Sequence, residues 1–235
     1  MTVRSVGVEE ELLLVEPGTG QPRAVAETAL RAIKHPETAG DGPQADDPAQ
    51  SLDLEFQRQQ LETNTRPCCD LTELGRELRR CRSLAAEVAA RAGARVAALA
   101  TSPIPVVPEL VPARRNQEMA RAFGLTAHEQ LTCGCHVHVG ISSADEGVAV
   151  LDRIGPWLAV LLALSANSPF WQGTDSAYAS FRYQAWSRWP GAGPTDTFGN
   201  AEVYRQTVRQ MVATGTLLDV GYADHLRLMR ALPSA

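Results

Sequence analysis

A chain of 235 residues, 44% apolar and 21% charged, has the composition of an ordinary folded protein and enough length to bury a substantial core. Its formal net charge of −5 gives no general attraction to nucleic acid or to an anionic membrane surface, so neither is expected as a partner. The opening residues MTVRSVGVEEELLLVEP lack the apolar core of a signal peptide, and the five cysteines are an odd number, so reduced thiols in a cytoplasmic protein are expected.

VGVEEELLLVEP reads as a strand that ends at the turn Pro17-Gly18-Thr19-Gly20. Along it Glu9 and Glu11 share a face and Glu10 takes the other, while Leu12, Leu13 and Leu14 ask for cover on both faces. Same-face carboxylates repel, and burying them without compensation is costly. A divalent cation between them is the simplest relief, and solvated charge on an edge strand is the plainer one. Ala24 to Lys34 reads as a helix, and His35 to Gln50, rich in Pro, Gly and Asp, as an exposed loop or hairpin tip. Leu52 to Thr65 reads as extended and adds Glu55 and Glu62, whose spacing of seven puts them on opposite faces of a regular strand unless a bulge or bend intervenes.

Asp70, with Glu73 three residues on, has the pattern of a capping box and starts a long helix that runs to about Gly93. Arg95 to Thr101 reads as a buried strand, SPIPVVPELVP as a loop and Arg114 to Phe123 as a short helix. Glu129 to Ile141 reads as a strand, then Ala144 to about Asn167 as a helix that Gly155-Pro156 could kink. Its most apolar part, Trp157 to Leu164, is too short to span a bilayer. Ser168 to Asn200 is a long aromatic and Gly/Pro-rich segment, and Thr197 to Thr214 closes with a helix. Strands and helices in this mixed order predict an α+β domain with an antiparallel or mixed sheet.

Within the strand TCGCHVHVGI, alternation sends Cys133, Cys135, Val137 and Val139 one way and Gly134, His136 and His138 the other. A zinc site of the two cysteines and two histidines would need all four to converge, which the pleat opposes. Two imidazoles on one face with a glycine beside them suit a metal or a phosphate. The strands thus offer several carboxylates and two imidazoles, and oxygen-rich ligation with one nitrogen suits Mg²⁺ or Mn²⁺ better than zinc. In the aromatic segment, Arg182 and Arg188 stand among Tyr178, Phe181, Tyr183, Trp186 and Trp189, where a guanidinium can present its fork to a phosphoryl group or carboxylate. Stacking on nucleic acid and a packed loop with cation–π pairs are the other uses of such a mixture.

GVEEELLLVEP, QLETNT, TCGCHVHVG and ALSANSPFWQGTDSAYASFRYQAWSRWP, in this order from Val6 to about Val220, resemble the YbdK-type carboxylate–amine ligases, the type 2 glutamate–cysteine ligases of the glutamine-synthetase-like superfamily. The resemblance implies a curved, mainly antiparallel sheet with helices on its outer face, holding ATP, Mg²⁺ (or Mn²⁺) and glutamate. Glutamate's γ-carboxylate would be phosphorylated, and the amine of cysteine or another acceptor would displace the phosphate. By the same resemblance Glu9, Glu11, Glu55, Glu62 and His136 match metal-binding positions, His136 and His138 lie near the ATP phosphates, and Arg182 stabilises the phosphoryl group in transfer. The family continues into a further metal-binding strand of the type VEVRVAD, where this sequence reads GYADHLRLMRALPSA; Asn116 also replaces a common tyrosine. The expectation is thus one incomplete catalytic domain over 1–235, with a homo-oligomer or a partner chain supplying the missing strand; a ligand-binding or assembly subunit is the alternative.

Overall fold

The structure, a computed structural model, describes residues 3–34 and 51–220, so the loop expected at His35 to Gln50 and the tail from Gly221 lie outside the described residues. The central strand β1 (Val6–Val15) pairs with β3 (Gln60–Asn64) on one side. On its other side it pairs with β4 (Arg95–Ala97) near its end and with β5 (Cys135–Val139) near its start. A short strand β2 (Leu52–Leu54) continues the sheet beyond β3, and every pairing is antiparallel. The expected α+β architecture, with a helical layer against an antiparallel sheet, is what forms.

Alternation along β1 decides which side the helices cover. Val8, Glu10, Leu12 and Leu14 face α1 (Ala26–Lys34) and α2 (Leu71–Arg91), and Leu12, Leu14, Leu52 and Leu61 pack with Ala26, Leu30, Ala85 and Val88 into the main core. Each fully buried leucine there contributes roughly 1.5–3 kcal/mol of transfer free energy. Glu10 lies on this apolar side with only 8% of its surface exposed, and Arg82 of α2 grips it with Nε at 2.7 Å and a second nitrogen at 2.5 Å. The two-pronged contact supplies the pairing that a buried carboxylate requires. Asp70 accepts a hydrogen bond from the Glu73 amide at 2.9 Å, the N-cap contact that the spacing predicts.

Three expected strands are revised. Leu52 to Thr65 is a hairpin: Leu52, Asp53 and Leu54 of β2 lie opposite Thr63, Glu62 and Leu61 of β3. Arg95 to Thr101 keeps ladder pairing only to Ala97, because the Leu99 amide turns back to bond the Ala97 carbonyl, and Arg95 is exposed. Glu129 to Ile141 is divided: α3 (Arg114–Phe123) is followed by α4 (Leu125–Glu129), and the strand begins only at Cys135.

Beyond the sheet, α5 (Ala144–Leu164) runs without a break through Gly155-Pro156, although Pro156 forfeits a helix hydrogen bond. It is therefore long enough and apolar enough to cross a membrane by length and composition, which corrects the shorter span read from the sequence; 11% of that window is buried. The aromatic segment folds into a small hairpin, β6 (Phe170–Trp171) with β7 (Thr174–Asp175), followed by α6 (Phe181–Trp186). The last described helix is α7 (Ala201–Ala213). Trp189 centres a second core with Met119, Ala127, Val208 and Leu217, and its ring meets Phe123 edge-on at 5.5 Å.

Candidate functional site

The face of β1 turned away from α1 and α2 carries Glu9 and Glu11. Register sets Glu9 across from His136 on one neighbour and Asn64 on the other, and Glu11 across from Glu62. His136 Nδ1 lies 3.0 Å from Glu9 Oε2 in a hydrogen bond, and His138 Nε2 lies 3.0 Å from the same oxygen but out of line for one. Both His138 ring nitrogens are buried without a hydrogen-bond partner among the described residues. The two imidazoles hold the Glu9 carboxyl far below the usual range, and the bond to Glu9 raises the pKa of His136.

Glu11 belongs to a different group. Its carboxylate, with those of Glu55 and Glu62, places oxygen atoms within 4.8 Å of one another. Burial raises the pKa of all three, and that of Glu55 most strongly because Glu11 and Glu62 add like charge beside it. The Gly134 amide donates to Glu11 at 2.8 Å, Gln60 Nε2 reaches the same carboxylate at 3.4 Å, and Asn64 Nδ2 donates to Glu62 at 3.0 Å. Glu9 and Glu11 do share a face, as parity predicts, and each joins its own group of residues that could hold a cation. Glu55 reaches its cluster because the chain reverses between β2 and β3, not through a bulge in one strand.

Strand parity fails at one cysteine. Cys133 precedes the ladder and packs with Leu13 and Leu131 on the site side, whereas Cys135 stays on the helix-layer side opposite Glu10. Val137 and Val139 share the Cys135 side but are exposed, so the apolar face expected there is not core. Neither group of residues placed to hold a metal contains a cysteine among the described residues, and all five thiols are free. Burial raises the Cys133 thiol pKa well above its ordinary value, which suits a packing residue and not a metal ligand.

Arg182 enters from the first turn of α6. Its amide bonds Ser168 Oγ at 3.2 Å, and a guanidinium nitrogen donates to the Cys133 carbonyl at 3.0 Å, beside the Glu11 cluster. Arg188 is engaged elsewhere, with Glu129 at 2.6 Å. Sequence reading missed Gln60 and Asn64, whose amides tie the carboxylates to the sheet; their same-face spacing with Glu62 was the available signal. The space beside Gly134 holds His136. A Cβ there would stand 3.0 Å from His136 Nε2 and 3.4 Å from Glu11 Oε1. Gly134→Ala is accordingly expected to weaken divalent-cation binding about tenfold by pushing His136 aside, as second-layer changes at metal sites do. Titration calorimetry with Mn²⁺ checks this, and an unchanged affinity would show that His136 can yield without consequence.

The donors fit hard divalent cations. One group is all carboxylate, and the other joins a carboxylate to two imidazoles, one of which has no hydrogen bond to satisfy its nitrogens.

Comparison with known proteins adds to this geometry. The model of glutamate-cysteine ligase family 2 matches residues 5–232. A Streptomyces avermitilis protein named "Putative glutamate–cysteine ligase 2-1" is 53% identical over 219 residues, covering 93% of this chain and 58% of that protein. "Putative glutamate–cysteine ligase 2" of Streptomyces coelicolor is 51% identical over 236 residues, covering 99% and 62% respectively. The chain thus spans about three-fifths of the length of these curated relatives. Among solved structures, a bifunctional glutathione synthetase from Pasteurella multocida shares the fold at a TM-score of 0.61 and 16% identity, over 90% of this chain and 30% of that one.

Proposed function

Because the chain belongs to glutamate–cysteine ligase family 2, we propose that it carries out, alone or with further polypeptide, the ATP-dependent joining of glutamate's γ-carboxylate to an amine such as that of cysteine. The observation that supports this most is the placement of two groups that could each hold a cation, Glu9–His136–His138 and Glu11–Glu55–Glu62, on one sheet face with Arg182 beside them. Mg²⁺ or Mn²⁺ ions held there would neutralise the polyphosphate and polarise the phosphoryl group. The γ-phosphoryl group passes to the glutamate carboxylate oxygen and ADP leaves; the amine then attacks the acyl carbon, phosphate leaves, and the amine proton goes to solvent or base. Arg182 keeps one nitrogen on the Cys133 carbonyl and offers further N–H donors to charge that builds on the transferring group. The reading includes a cytoplasmic location, which five free thiols support.

The test is Mg²⁺-dependent release of ADP and phosphate by the purified chain, with glutamate, with and without cysteine and other amines, beside Glu11→Gln. Turnover that needs both substrates and is lost in the variant supports the ligase. A second reading is a subunit that binds metal and nucleotide without turning over. Metal-dependent ATP binding with no release above the Glu11→Gln background would select it.

Cation binding is expected to tighten with pH. The raised pKa values of Glu11, Glu55 and Glu62 and the raised pKa of His136 mean that a cation must displace protons that these groups hold unusually well. The affinity gains about tenfold per pH unit for each proton displaced. Calorimetry between pH 5.5 and 8, in buffers of different ionisation enthalpy, should show this proton release; a pH-independent affinity would place the cation elsewhere.

A further inference from the structure

We propose that the two cation groups differ in the metal they take, with His138 as the residue that sets the difference. Glu9, His136 and His138 form a nitrogen-ligated site for a first-row transition-metal dication in preference to Mg²⁺, whereas Glu11, Glu55 and Glu62 take Mg²⁺. This deepens the proposed function and rests on its reading of both groups as cation sites. On β5 His136 lies opposite Glu9 and His138 opposite Gly7, so His138 meets Glu9 on the diagonal. His136 Nδ1 and His138 Nε2 each stand 3.0 Å from Glu9 Oε2. Neighbouring ligand atoms around an octahedral cation with bonds of about 2.1 Å stand about 3.0 Å apart, so both spacings already suit a shared ion.

His138 has no other polar engagement among the described residues. Its side chain is 13% exposed, and neither buried ring nitrogen has a hydrogen-bond partner. Buried polar atoms are normally paired, and a cation on Nε2 gives that lone pair its partner. His136 and Glu9, at 45% and 25% exposed, leave the group open enough for a cation to enter and complete its shell with water. Donor chemistry then separates the two groups. Three carboxylates supply the oxygen atoms and charge that draw Mg²⁺ out of its tightly held hydration shell. One carboxylate with two imidazoles supplies a single charge and two nitrogens, which Mg²⁺ rewards little. First-row transition metals gain from imidazole, in an order that rises from Mn²⁺ through Co²⁺, and two histidines with one carboxylate leave them open positions.

The test uses the full 235-residue chain freed of metal, with Mn²⁺ as the probe, at about pH 8 where neutral imidazole is available. Electron paramagnetic resonance counts bound Mn²⁺ in a roughly 100-fold excess of Mg²⁺, and its pulsed form reads ¹⁴N coupling on the bound ion. About one Mn²⁺ per chain is expected to survive the excess and to carry coupling from two nitrogens. His138→Leu should weaken that Mn²⁺ tenfold or more and leave coupling from one nitrogen. His128→Leu, at an exposed histidine of α4, should change neither readout. The parent's coupling decides the ligands even where His138→Leu fails to fold. Mn²⁺ displaced in proportion to Mg²⁺, or coupling from fewer than two nitrogens, overturns the proposal and leaves both groups as cation sites. Calorimetry that finds neither Mn²⁺ nor Mg²⁺ bound overturns the cation reading of both groups as well.

Discussion

If the chain turns over as proposed, Arg182→Lys is expected to lower kcat for glutamate-dependent phosphate release by about 10²- to 10³-fold, the range seen when one preorganised donor to a developing anion is lost. The side chain is fixed at both ends: its amide is bonded to Ser168 Oγ at 3.2 Å, and one guanidinium nitrogen to the Cys133 carbonyl at 3.0 Å. That anchor holds the guanidinium close enough to the carboxylate cluster for its positive charge to act on Glu11. Lysine keeps the charge but has one nitrogen, which cannot hold the carbonyl and meet a phosphoryl oxygen together. The loss should therefore fall on kcat, with the KM for ATP changed little, since the interaction strengthens only as charge moves. Arg188→Lys is the control, because Arg188 pairs with a half-exposed Glu129 and should stay within about twofold of the parent rate. Equal losses in the two variants would mean that Arg182 matters for the packing of α6 and not for transfer.

How far the sequence carried these roles depended on whether local geometry or chain reversal decided them. The two faces of β1 were legible, because ten residues in an unbroken strand obey alternation: Glu9 and Glu11 on one side, Glu10 on the other. The first turn of α2 was legible for the same reason, since an N-cap contact spans only three residues. Glu55 was not placed by spacing, because a hairpin reversal lies between it and Glu62 and no period crosses a turn. Cys133 was misplaced where a glycine and the bridge from Thr132 to Thr101 interrupt the ladder before β5. The pairing order that sets Glu9 against His136 is a contact 127 residues apart, and no local pattern encodes it. Only the resemblance of whole motifs brought those residues to one site in advance.

The carboxylate cluster makes a second large prediction, in which stability and binding change in opposite directions. Glu55 is buried beside Glu11 and Glu62, and its pKa lies well above the usual carboxylate value, first through burial and then through those two charges. A carboxyl whose folded-state pKa is raised leaves the native state unharmed below the unfolded-state pKa and destabilises it progressively as pH rises from there to the raised pKa. Glu55→Gln removes the charge at nearly constant shape. The metal-free variant should then be more stable than the parent at pH 8, by a margin that shrinks as pH falls to about 4, where the parent carboxyl is protonated in the folded and unfolded states alike. Saturating Mg²⁺ or Mn²⁺ reverses the order: a cation at 100 times its Kd stabilises the parent by about 2.7 kcal/mol, and the variant, short of one ligand, gains little. Urea denaturation at the two pH values, with and without the cation, reads all four cases. A variant that is less stable at both pH values without metal would show that Glu55 is held by contacts that outweigh its neighbours' charge. The cluster would then be structural packing, and its three carboxylates would not be a cation site waiting to be filled.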